Sequence, residues 1–99
     1  MFLAVYRFEG EPAALQASHA RVLSMLPPDR IPLNIAVTRP RGLDVYDVCA
    51  SRAEFETFST SAGFQGVLAQ AGLPRPNIEP LGEISALVLQ GRMACPEAR

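Results

Sequence analysis

The chain contains one histidine, His19, the only side chain here whose unperturbed pKa lies near neutrality. An imidazole paired with a phenol can polarise or deprotonate a bound phenol or ketone. Tyr6 is the phenol placed to do so. It lies about 7 Å from the end of an N-terminal apolar strand, and His19 about 10 Å into the helix that follows, so the two can be level in an antiparallel strand–helix pair. Against this stands a packed imidazole satisfied by backbone or water. Asp47, a carboxylate inside an otherwise apolar stretch, can orient the imidazole or accept a substrate proton. Its other reading is a rim residue paired with Arg across a dimer. Asn34 and Thr38 share a strand face and can hold a substrate oxygen or face solvent. Phe55 and Phe58 can line a ligand box, although phenylalanines at helical spacing are more often core. Cys49 has no cation nearby in sequence and reads as a packed, inert thiol.

Several chemistries lack their residues. All nine basic side chains are Arg, so Schiff-base and pyridoxal-phosphate catalysis have no lysine. One His and two Cys, dispersed, do not make a zinc site. No glycine-rich strand-to-helix loop suits a phosphate or dinucleotide, and no Gly-x-Ser-x-Gly elbow occurs. The expectation is no cofactor and no metal. A net charge of −1 with scattered arginines gives no field to recruit nucleic acid. No segment approaches the roughly 18–20 apolar residues of a membrane span, and Met1–Tyr6 reads as a strand rather than a signal peptide. Cys49 and Cys95 fit reduced thiols in a cytoplasmic protein.

The elements that must position these groups follow from pattern. Residues 2–8 read as a strand. Glu11 and Pro12 open a helix over 12–26, in which Leu15, His19, Val22, Leu23 and Leu26 form one apolar face and Pro27-Pro28 ends it. Residues 32–38 and 43–50 form a hairpin through Arg39-Pro40-Arg41-Gly42. Ser51-Arg52-Ala53-Glu54 is a capping box. The helix it starts breaks at 59–63, resumes through Phe64, Val67, Leu68 and Ala71, and stops at Gly72 and Pro74. Residues 82–89 read as the last strand. One domain over 1–91 with a flexible tail over 92–99 results, an α+β fold of ferredoxin-like βαββαβ type with helices on one face of a four-stranded antiparallel sheet.

The strand faces bear on assembly. Phe2, Ala4, Tyr6 and Phe8 alternate with Leu3, Val5 and Arg7, and Ile84, Ala86 and Val88 alternate with Ser85, Leu87 and Leu89. Both faces are largely apolar, while two helices cover only one. A homodimer through the other face is expected.

The chain resembles the dimeric α/β-barrel superfamily, which includes antibiotic-biosynthesis-type monooxygenases and stress-responsive barrel proteins. The resemblance rests on Asp44-Val45-Tyr46-Asp47-Val48-Cys49-Ala50-Ser51, on Glu54-Phe55-Glu56-Thr57-Phe58 and on Ala71-Gly72-Leu73-Pro74. It is nearest to a group of uncharacterised bacterial members of about this length. That pattern has a Trp near the position of Cys49, and this chain has none. The resemblance implies sheets packed face to face and a pocket between helices and sheet in each protomer. Haem-degrading members use a His on the later helix, which is absent here. Because the superfamily hosts several activities, fold does not choose among them. Two functional readings stand. One is a protein that binds a small apolar or aromatic molecule between helices and sheet. The other is a cofactor-independent monooxygenase or polyketide cyclase/isomerase-type enzyme using His19 with Tyr6 or Asp47.

Overall fold

The computed structural model describes residues 1–27 and 32–95, so the expected helix stop at Pro28 and the last four residues of the expected tail lie outside the described residues. The elements run β1 (Phe2–Glu9), α1 (Pro12–Met25), β2 (Asn34–Arg39), β3 (Gly42–Cys49), α2 (Arg52–Ser59), α3 (Ala62–Ala71) and β4 (Asn77–Glu83). The antiparallel sheet has the order β2-β3-β1-β4, the ferredoxin-like arrangement expected from sequence.

The helices begin and end where their caps dictate. Glu11 accepts hydrogen bonds from the backbone N–H groups of Ala13 and Ala14, with Pro12 in the first turn, where its missing N–H costs nothing. The hydroxyl of Ser51 accepts from the Glu54 N–H at 3.1 Å, giving one half of the expected capping box. Ser61 does the same for Phe64, so the break between α2 and α3 is a fresh helix start. Gly72 closes α3 in the left-handed region at φ 86°, with its own N–H on Ala69 and that of Leu73 on Leu68. The Arg21 guanidinium donates twice to the Ala71 carbonyl, tying α1 to the negative end of α3. Ser51→Ala is expected to cost about 1 kcal/mol through the lost cap, measured as a lower midpoint in urea at unchanged slope.

Strand register assigns the faces. Phe2, Ala4, Tyr6 and Phe8 sit beside Cys49, Asp47, Val45 and Leu43, and these rows point toward the helices. Leu15, Val22, Phe55, Leu68 and Leu73 complete that core. On the opposite, outer face Val5 and Val48 are buried, whereas Ile35 and Val37 of edge strand β2 are 49% and 46% exposed. Asp44, buried on this face, is clasped by Arg39 at 2.7 Å and Arg7 at 3.0 Å. Gly42 joins β2 to β3 in a crowded place: a Cβ there would collide with the Phe8 carbonyl oxygen and the Arg39 guanidinium.

The C-terminal quarter departs from expectation. The fourth strand is Asn77–Glu83, not 82–89. Its Pro80 is tolerated because β4 is an edge strand, and a bulge shifts its register opposite Leu3/Ala4. Residues 84–86 lead out of the sheet into a separate hairpin, β5 (Leu87–Leu89) and β6 (Arg92–Cys95), so part of the supposed tail is a strand. The loop is Gln90-Gly91, both at positive φ (51° and 77°), as tight two-residue hairpins require. The main contacts of this hairpin are between its own two strands, and Val88, Leu89 and Met93 are 57–61% exposed. No helix among the described residues is long and apolar enough to cross a membrane.

Candidate functional site

Between the inner face of the sheet and the three helices lies an open cleft of about 660 Å³. Each layer contributes one part. His19 comes from α1, where helical spacing places it one turn after Leu15 and before Val22. Tyr6 comes from β1, Asn34 from β2, and Asp47 and Cys49 from β3; Phe58 and Phe64 close the wall from α2 and α3. The cleft therefore takes its buried polar groups from three adjacent strands and α1, with Glu54 of α2 and Ser61 at the start of α3 beside them, on an otherwise apolar wall, the usual composition of a small-molecule site.

Three buried polar atoms on this wall have no hydrogen-bond partner: the Tyr6 hydroxyl, His19 Nε2 and Asn34 Oδ1. Tyr6 and His19 are 3% and 8% exposed, so leaving these groups unpaired costs roughly 1–3 kcal/mol each. The Asn34 side-chain amide donates to Asp47 Oδ1 at 3.4 Å, a long and weak bond. Asn34 also lies close to the imidazole. Asp47 and Cys49 are the polar neighbours of the Tyr6 hydroxyl.

Protonation states follow from burial. Desolvation lowers the His19 pKa, opposed in part by Asn34, so the ring is neutral near pH 7. Burial raises the Tyr6 pKa, and the nearby Asp47 and Cys49 add to this, which keeps the phenol protonated as a hydrogen-bond donor. The Asp47 carboxyl is pushed above its ordinary value by burial, held back by Asn34 and the Val48 N–H. The Cys49 thiol is pushed up to about 11 by burial, then by Asp47 and Glu54, and is a poor nucleophile at neutral pH. A neutral imidazole can take a proton from a ligand hydroxyl, and the phenol can donate to the oxygen left behind.

The structure brings together His19, Tyr6, Asp47, Asn34 and Phe58 around one space. It does not bring Phe55 there. Phe55 is 5% exposed and lies in the core, its ring 5.4 Å from Phe2 and 6.4 Å from Tyr6. Phe64 takes the place expected for it, its ring tilted against Phe58 at 4.6 Å and edge-on to Tyr6 at 5.5 Å. Its helical spacing gave it to the core, and nothing in that spacing separates a core phenylalanine from one that faces a cleft. Asp47 faces the helices, so a rim pair with Arg across the outer face does not arise; Asp44 is the arginine-bound carboxylate. Thr38 is exposed on edge strand β2 and does not line the cleft. Among the described residues, no group of His, Cys, Asp and Glu could hold a metal ion.

No protein-family model and no curated protein matches the chain. Among solved structures, it is similar to a protein from Chloroflexus aurantiacus J-10-fl assigned provisionally as an antibiotic biosynthesis monooxygenase. The match has a TM-score of 0.56 and 12% identity, and covers 85% of this chain and 93% of that one. The likeness is one of fold. It agrees with the superfamily architecture that the sequence resembles, and at this identity it carries no residue roles.

Proposed function

We propose that the protein binds a small aromatic molecule in the cleft between helices and sheet, as a homodimer whose outer sheet faces meet. The observation that carries the binding reading is the set of orphaned buried atoms on Tyr6, His19 and Asn34 around an open apolar space. Buried polar groups in native proteins are normally paired, and a ligand with one or two polar atoms would pair these. For the dimer, the support is apolar surface left open beside the sheet: Ile35 and Val37 of the outer face are 49% and 46% exposed, and the hairpin adds Val88, Leu89 and Met93.

A second reading, a cofactor-independent oxygenase or cyclase/isomerase-type enzyme, is favoured by one feature. His19 is neutral and unpaired while Tyr6 stays protonated, the states a proton acceptor and an oxyanion donor need.

Calorimetric titration with a naphthol tests the binding reading. At ligand efficiencies of about 0.5 kcal/mol per heavy atom the dissociation constant should be on the order of 100 μM, with one site per chain. His19→Ala should weaken binding roughly tenfold, one lost hydrogen bond. No saturable heat, or an unchanged affinity in His19→Ala, would remove the proposal.

A further inference from the structure

The polar groups of the cleft are unequal in kind. Asp47 presents a carboxylate, Glu54 places a second at the exposed rim, and Asn34 keeps a buried carbonyl oxygen without a partner while its amide leans on Asp47 at 3.4 Å. Among the described lining residues there is neither Arg nor Lys. The arginines whose contacts are resolved are engaged elsewhere: Arg7 and Arg39 on the outer face, Arg21 on Ala71 and Arg52 on Glu56. Among the described lining residues the Tyr6 hydroxyl and the imidazole are the strong donors not already engaged; the Ser61 hydroxyl is spent on the Phe58 carbonyl and the Cys49 thiol donates weakly.

We infer that the cleft selects aromatic molecules bearing a hydrogen-bond donor, a hydroxyl or an amine, and rejects aromatic carboxylates. This rests on the reading of the cleft as a binding site and specifies what it takes. The physical reason is desolvation without compensation. An anion entering a half-buried site loses its water, meets a carboxylate of the same sign, and finds no cation among the described lining residues to repay either cost. It can enter only if Asp47 or the ligand first takes up a proton. A hydroxyl or ammonium instead gives its hydrogen to Asn34 Oδ1 or Asp47, while Tyr6 donates back to a hydroxyl oxygen. The faces of Phe58 and Phe64 accept either ring and favour a cation beside it.

Four probes of one shape separate the possibilities at pH 7: naphthalene, a naphthol, naphthylmethylamine and naphthoate. Calorimetry on the intact protein should show the naphthol and the amine binding at least tenfold tighter than naphthoate, with naphthalene weaker than the naphthol. Asp47→Asn, which keeps the shape and removes the charge, should cut the naphthoate deficit several-fold, with circular dichroism checking its fold. Naphthoate binding as tightly as the naphthol would overturn the charge selection while leaving the cleft a binding site. Should none of the four bind, both readings fall. A naphthoate deficit unchanged in folded Asp47→Asn would take Asp47 out of the account.

Discussion

Val37→Asp is expected to convert a dimer into a monomer. Val37 lies on the outer face of β2, 46% exposed in the single chain, and register places it beside Asp44. In a face-to-face pair its aspartate would be buried in apolar surroundings, and like charges set opposite each other across an interface cost several kcal/mol. The dimer dissociation constant should rise at least a hundredfold, about 2.7 kcal/mol. The isolated fold should lose less, roughly the 0.2–1 kcal/mol of a cross-strand pair, because the new carboxylate faces Asp44 on the neighbouring strand. Light scattering across micromolar concentrations gives the mass of each form. A wild-type chain that scatters as a monomer, or a variant that still dimerises fully, would show that the outer face is not the interface.

Phe55→Ala should produce the largest loss of stability. Its ring is the inner keystone of α2, touching Phe2 on one side and Tyr6 on the other. Truncating a buried Phe costs roughly 3–5 kcal/mol through lost transfer energy and the cavity left behind. A domain of this size holds about 5–15 kcal/mol in total. The melting temperature should fall by about 12–40 °C at roughly 4–8 °C per kcal/mol, read by calorimetry. The same substitution removes the packing behind Tyr6, so ligand affinity should fall with it. A loss under about 1 kcal/mol would mean that the helix does not depend on this ring.

Much of the framework was legible because local chemistry and global fold agree. Glu11-Pro12, Ser51 and Gly72 each perform in three dimensions the capping role their residue types announce. The apolar stripe of α1 carried His19 to the sheet for the same reason. The fourth strand was hidden because propensity pointed the wrong way. Asn77–Glu83 contains Pro, Gly and two Glu yet pairs with β1, while the stronger strand former, residues 84–89, leaves the sheet. Pairing along β1 outweighed intrinsic preference. That error also removed one of the two strands from which a second apolar face was argued. The apolar surface beyond the helices belongs to β1, to β2 and to the hairpin, whose Gln90-Gly91 turn lacks the usual Asn-Gly signature. At the site, residue types could nominate Tyr6, His19 and Asp47, but only the register could show that Asn34 stands beside Asp47 and that Phe55 faces away.

The alternation of β1 and β3 has a practical consequence. The chain has no Trp and two Tyr, so its intrinsic emission comes from tyrosine. Tyr6 borders the cleft, and Tyr46, paired with Val5, lies on the outer face. Under the proposed binding and pairing, Tyr6 would report the ligand and Tyr46 the neighbouring subunit. Replacing either by Phe removes one voice and leaves the other audible, so occupancy and assembly can be followed separately in the same solution without attaching a label.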